Sequence, residues 1–141
     1  MPFLGEYRHK LDEKNRIAIP AKFREGLGES FVVCRAPKEH CLFLYSFSEW
    51  ENVAENIKQH SKTEKERNMQ RRALAGASTV DMDKSGRITL SKELCGFASL
   101  DGDIVSYGAN NRIEIWNAEK WDAMLEEDFF CDEDEELEIQ Y

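Results

Sequence analysis

One internal repeat constrains this chain more than any other feature. Residues 11 to 19 read Leu-Asp-Glu-Lys-Asn-Arg-Ile-Ala-Ile, and residues 82 to 90 read Met-Asp-Lys-Ser-Gly-Arg-Ile-Thr-Leu, an offset of 71. The same offset aligns Phe23 with Leu94, Val33 with Ile104, Leu42 with Ile113, Leu44 with Ile115, Tyr45 with Trp116 and Trp50 with Trp121. Apolar character is kept while identity is mostly lost, as expected of two copies of one small fold. With 141 residues there is room for two such copies and little else.

Each copy reads as strand, tight turn, strand, short helical turn, strand, hairpin, strand and helix. In the first copy, Asp12 to Arg16 separates Tyr7–Leu11 from Arg16–Ile19, and Asn15 occupies a position suited to positive φ. Gly86 holds that position in the second copy. The β-rich runs Phe31–Cys34 and Cys41–Tyr45 bracket Pro37-Lys38-Glu39-His40, and their counterparts Ile104–Tyr107 and Arg112–Trp116 bracket Gly108-Ala109-Asn110-Asn111. Ser48 and Glu51 have capping-box spacing, which predicts a helix starting near Ser48 and presenting Trp50, Val53, Ala54 and Ile57. The polar stretch His60–Thr63 should interrupt it, before a second helical segment carrying Met69, Ala73 and Leu74 up to Gly76. Asn117 is placed to cap a last helix with Trp121, Met124 and Leu125 on one face. The expected organisation is a first domain over 1–50, a connecting helical segment over 51–76, a second domain over 77–125 and an acidic tail over 126–141.

The charge of −9 is confined to that tail. From Glu126 to Tyr141 there are nine acids and no Lys or Arg, so the rest of the chain carries 19 acids against 19 bases. Residues 8 to 24 reverse the sign: Arg8, Lys10, Lys14, Arg16, Lys22 and Arg24 face only Asp12 and Glu13. The tail has too little to bury and is expected to be disordered or a frayed helix. It is either a solvated run or a polyanion mimic competing for the basic face.

Other function classes find little in the residues. No window approaches the roughly 18 apolar residues of a spanning helix, and the start has neither a basic segment nor an apolar run, so neither a membrane span nor a signal peptide is expected. Cys34, Cys41, Cys95 and Cys131 lack paired zinc spacings and read as reduced thiols in a cytoplasmic protein. Cys34, His40 and Cys41 lie close in sequence but match no metal pattern, and His9 and His40 read as structural or surface residues. No nucleophile has a motif-level partner and no Gly-rich loop opens a helix after a strand, so no enzyme activity, cofactor, metal or small-molecule substrate is expected. Trp50, Trp116 and Trp121 read as core residues rather than stacking platforms.

The Asp-x-x-x-Arg turn occurs twice, as Asp12–Arg16 and Asp83–Arg87, each preceded by an apolar residue and followed by Ile. Together with Gly5-Glu6-Tyr7, Ile19-Pro20-Ala21, Leu44-Tyr45 before Ser48-Glu49-Trp50, and Glu114-Ile115-Trp116, this pattern resembles the MraZ proteins over residues 1 to about 125. Asn15 stands where that family usually has Gly, and Ser91 where it often has Pro. The resemblance implies an α+β fold in which two AbrB-like βαββ repeats form a pseudo-symmetric swapped-hairpin β-barrel with flanking helices. It also implies a homo-oligomeric ring that binds double-stranded DNA at repeated boxes upstream of a division and cell-wall gene cluster including its own gene, as a cytoplasmic, nucleoid-associated transcription regulator. The implied DNA-contacting residues are Arg8, Lys10, Lys14 and Arg16 of the first copy, with Lys84 and Arg87 of the second. The residues alone leave a second role open for each motif, in which Asp and Arg merely close their own turn. A different class also stays in view: an AbrB-like antitoxin with an operator-binding N-terminal half and an acidic tail that wraps a toxin. Two full copies in one chain argue against it.

Overall fold

A computed structural model describes residues 2–129. Strand β1 (Phe3–Lys10) leads through the first Asp-x-x-x-Arg turn to β2 (Arg16–Ala18), helix α1 (Ala21–Leu27), β3 (Ser30–Arg35), β4 (Leu42–Tyr45) and α2 (Phe47–Gln59). After α3 (Glu64–Ala75) the pattern recurs as β5 (Ser78–Asp81), β6 (Arg87–Thr89), α4 (Lys92–Ala98), β7 (Asp103–Asn110), β8 (Ile113–Asn117) and α5 (Ala118–Phe129). The repeat read in the sequence is therefore a repeat of elements.

The copies are not side by side. Six strands form one antiparallel sheet in the order β1-β7-β8-β4-β3-β5, and β2 pairs with β6 in a separate ribbon. The first strand of each copy thus pairs with the third strand of the other: Tyr7 faces Ser106, and Val80 faces Phe31. Residues 71 apart face each other at two places, Ile17 opposite Ile88 in the ribbon and Phe43 opposite Glu114 in the sheet. An approximate two-fold axis runs through both. The edges of the sheet are β1 and β5.

Side-chain alternation along these strands supplies two cores, one on each face of the sheet. On the inner face Phe31, Val33, Leu42, Leu44, Ile104, Ile113 and Ile115 pack against Ile17, Ile19, Ile88 and Leu90 of the ribbon region, with Phe23 and Leu27 of α1 and Leu94 and Ala98 of α4. Ile17 and Ile19 are fully buried, so each contributes roughly 1.5–3 kcal/mol and together they fix which ribbon face looks inward. On the outer face Cys34, Phe43, Tyr45, Val105 and Trp116 lie with Trp121 of α5, and Trp50 and Val53 of α2 pack on that cluster. Gly108 permits the exchange of β1, because a Cβ there would stand 2.5 Å from the Leu4 amide nitrogen.

Several details differ from the expectation, among them the second hairpin, where Gly108–Asn110 belong to β7 and the turn falls at residues 111–112. Helix α2 starts at Phe47, capped by Ser46, whose hydroxyl accepts from the Glu49 amide at 3.2 Å. The Ser48–Glu51 spacing lies inside the first turn, whereas a reciprocal capping box forms at Thr63 and Glu66, which start α3 directly after the polar interruption. Val33 does not correspond to Ile104 in space: pairing with Leu44 and Ile115 makes Val33 equivalent to Ser106, and Phe31 to Ile104. The second copy has two more residues before this strand and two fewer in its hairpin, so constant spacing fails there and resumes at β8. Trp121 is 5% exposed but its counterpart Trp50 is only half-buried, since α2 covers the sheet less fully than α5. As expected, Asn117 caps α5, accepting from the Lys120 amide at 3.0 Å, although Leu125 is exposed. The helix carries the first acids of the tail, Glu126 and Glu127; the remainder of that expectation, residues 130–141, lies outside the described residues.

Candidate functional site

The two Asp-x-x-x-Arg turns are built alike. In the first, Asp12 Oδ1 accepts from the amides of Lys14 (2.9 Å) and Arg16 (2.8 Å), and the Asn15 amide donates to the Asp12 carbonyl. In the second, Asp83 Oδ1 accepts from the amides of Ser85 (2.8 Å) and Arg87 (3.0 Å), and the Gly86 amide donates to the Asp83 carbonyl. Asn15 (φ 59°) and Gly86 (φ 76°) both take the left-handed conformation the sequence anticipates. These amide bonds are the leading reason that both carboxyls sit below the usual carboxylate range.

Each turn also clamps the other. The Gly86 carbonyl accepts from the Ile19 amide, and the Asn15 carbonyl accepts from the Leu90 amide, both at 2.8 Å. The β2–β6 ribbon lies between these bonds, and its alternation puts Ile17 and Ile88 inward and Arg16, Ala18, Arg87 and Thr89 outward. Arg16 and Arg87 come from different copies, yet both approach one atom: Arg16 Nε donates to Asp12 Oδ2 at 2.8 Å, and Arg87 Nη1 lies 3.7 Å from it. The two readings of the motif meet here, since Asp12 does close its turn through Arg16. Asp12 and Asp83 together offset the two guanidinium groups, so the positive excess of this face rests on Lys14 and Lys84, exposed on the two turns.

The remaining two candidates lie elsewhere. Alternation along β1 turns Arg8 and Lys10 toward α5. Arg8 holds both oxygens of Asp122, at 3.1 and 2.5 Å, and Glu6 at 3.0 Å; Glu6 in turn accepts from the Trp121 indole at 2.9 Å. The Asp122 carboxyl is lowered by its bond from Arg8. Lys10 stands 3.9 Å from Asp103. A polar cavity of about 510 Å³ next to both is lined by Asp101, Asp103, Glu119 and Asp122, so this side of β1 balances its cations with acids. The structure therefore brings together Lys14, Arg16, Lys84 and Arg87, and sets Arg8 and Lys10 apart from them.

Arg24, the last cation of the basic stretch, joins the second turn. Its Nε donates to the Ile19 carbonyl at 2.9 Å, and its guanidinium lies directly over Gly86. The signal in the sequence was an asymmetry: the repeat places Cys95, not a cation, at the equivalent position.

Cys34, Cys41 and Cys95 are buried, and His9 and His40 pack against neighbouring side chains. Burial pushes the Cys34 thiol up to about 11 and Cys41 higher still, and His40 stacks against Phe97 with ring centres 5.4 Å apart. His9 Nε2 and Ser106 Oγ share a hydrogen bond at 2.6 Å on the inner face, and burial lowers the His9 pKa. Among the described residues no helix is long and apolar enough to cross a membrane.

Comparison with known proteins agrees with the two-copy arrangement. The family described as "MraZ protein, putative antitoxin-like" matches twice, over residues 2–73 and 73–138. Similar proteins include the transcriptional regulator MraZ of Natranaerobius thermophilus, 46% identical over 121 residues covering 85% of this chain and 84% of that protein. Those of Clostridium tetani (44% identical, 85% and 84% covered) and Acetivibrio thermocellus (41% identical, 86% and 85% covered) bear the same name.

Proposed function

This chain belongs to the MraZ family, and on that premise we propose that it is a non-enzymatic transcription regulator that binds double-stranded DNA through the outer face of the β2–β6 ribbon. The observation that carries the reading is the convergence of Arg16 and Arg87, from the two copies, on a single Asp12 oxygen. An ion pair this open to solvent is weak, so the guanidinium groups can turn to a phosphate or a base edge at little cost. Phosphate contacts from Lys14, Arg16, Lys84 and Arg87 supply most of the affinity and make it fall with salt. Arg8 and Lys10, set apart on β1 and paired with Asp122 and Asp103, make at most a secondary contact with a duplex that extends past the ribbon.

The exchanged first strands and the ribbon at the pseudo-axis support reading the fold as an AbrB-like swapped-hairpin barrel, with domains over 1–50 and 77–125 joined by 51–76. Repeated boxes upstream of a division and cell-wall gene cluster, including the chain's own gene, are the sites that such a regulator occupies. A homo-oligomeric ring explains how a weak single face becomes specific: several linked copies raise the effective concentration when box spacing matches subunit spacing. The protein then acts in the cytoplasm, on the nucleoid. Footprinting on its own promoter tests this, with regularly spaced protected repeats expected and uniform or absent protection counting against it. The antitoxin-like wording of the family description favours one second reading, in which the 126–141 tail holds a toxin. Co-purification of a neighbouring toxin lost on truncation after Leu125 distinguishes it.

A further inference from the structure

The second turn is the more acidic of the two: Lys84 and Lys92 stand against Asp81, Asp83 and Glu93, whereas Lys10 and Lys14 at the first stand against Asp12 and Glu13. The structure compensates across the copies. Helix α1 of the first copy follows β2 directly, and Ile19, between them, is bonded to the second turn through its amide, which donates to the Gly86 carbonyl. Arg24 reaches back over this joint. Its Nε donates to the Ile19 carbonyl, and the plane of its guanidinium covers Gly86 so closely that a Cβ there would lie 2.6 Å from Nη2.

The terminal nitrogens of Arg24 have no hydrogen-bond acceptor among the described residues, and no carboxylate of those residues lies within salt-bridge distance of it. A half-buried guanidinium positioned by one backbone carbonyl, its remaining donors uncommitted, is a preorganised anion contact. Arg87 follows Gly86 directly, so Arg24 and Arg87 flank the same turn from two different copies. The pseudo-symmetric counterpart is absent: at the first turn the equivalent position is Cys95, whose buried thiol supplies no charge. The residue at the left-handed position differs as well, Gly86 under the Arg24 guanidinium and Asn15 in the first turn.

We propose that Arg24 is a further phosphate-contacting residue, lent by the first copy to the second turn, so that the two turns of one chain bind the duplex backbone unequally. The proposal rests on the reading of the ribbon as a DNA-binding face. It adds one guanidinium to that face and makes the second turn depend on a residue of the first copy.

The test compares wild type, Arg24→Gln, Arg24→Lys and Arg16→Ala on a duplex from the chain's own promoter and on a random duplex of equal length. Binding is followed by fluorescence anisotropy from about 50 to about 200 mM salt. Loss of one phosphate contact lowers the slope of log affinity against log salt by about 0.9, which makes Arg24→Gln about tenfold weaker near 0.1 M. Arg24→Lys, which keeps the charge and loses the Nε bond, retains most of the wild-type slope. If both substitutions weaken binding with no change of slope, Arg24 only positions the turn and the proposal is overturned. It is equally overturned if Arg16→Ala loses binding while Arg24→Gln matches wild type, an outcome that leaves the ribbon reading standing. Absence of duplex binding by wild type defeats the ribbon reading itself. Should Arg24→Gln fail to fold, Arg24→Met keeps the apolar stem and serves as the neutral variant.

Discussion

Substituting Gly86→Ala probes the joint between the two copies where backbone conformation and a charged side chain meet. Alanine at a φ of 76° costs about 1–2 kcal/mol from the contact of its Cβ with the following carbonyl. The new methyl also falls on the Arg24 guanidinium, which is the end of a flexible side chain and swings away rather than forcing the backbone apart. The price is its bond to the Ile19 carbonyl, about 1 kcal/mol for a half-buried donor that water partly compensates. The expected total is about 2–3 kcal/mol. Gly102 provides the control, because it has a similar φ of 70° and nothing within 4 Å of its Cβ, so Gly102→Ala carries only the backbone cost. In an Arg24→Ala background Gly86→Ala falls to that same cost, giving a coupling of about 1 kcal/mol. Urea denaturation of the four proteins of this cycle, at one protein concentration, measures it. Additivity within about 0.5 kcal/mol would refute the argument, since it would mean that Arg24 and Gly86 do not share the space assigned to them.

Two further outcomes follow from asymmetries between the copies. His9 and Ser106 occupy the positions that Val80 and Val33 hold in the other half, and burial sets the His9 pKa below its ordinary value of about 6.5. The unfolded chain therefore binds more protons just below that value, so stability falls as pH drops from neutrality toward the folded pKa. His9→Val with Ser106→Val should remove this slope without loss at pH 7, as measured by denaturation between pH 7 and about 5; an unchanged slope would assign it to other groups. Trp121→Ala should cost about 3–5 kcal/mol and Trp50→Ala about half as much, because only the former is almost fully buried. Equal shifts in denaturant midpoint at equal m-values would contradict the difference in cover between α5 and α2.

The legible parts of the fold were those written in local chemistry. Asn15 and Gly86 mark turns because few residues tolerate a left-handed conformation, and the apolar alternation of Leu42–Leu44 and Ile113–Ile115 marks paired strands wherever their partners lie. The illegible parts depended on partners distant in sequence. Nothing local to β1 states that it pairs with β7, and the insertion before β7 is invisible until the registers Val33–Leu44 and Ser106–Ile115 are compared. At the site, Arg16 and Arg87 were recognisable from their motif, but their meeting at Asp12 required the ribbon. Arg8 looked equivalent to Lys14 by charge and proximity in sequence. Strand alternation turns it instead toward Asp122, an acid 114 residues away. Arg24 is illegible for the converse reason, since its place is set by the turn of the other copy.

The central claim is that two turns, one from each copy, form a single DNA-binding face. It is tested most directly by the affinity and salt slope of Arg16→Ala, Arg87→Ala and the double variant on a promoter duplex, with circular dichroism and light scattering to confirm an unchanged fold and mass. Both side chains lie on the outward ribbon face and their removal leaves no cavity, so the fold should be kept with only the small loss expected of exposed ion pairs. The account predicts that each single variant binds more weakly and with a slope reduced by about 0.9, and that the double variant loses both contacts. Wild-type affinity and slope in the double variant would contradict it.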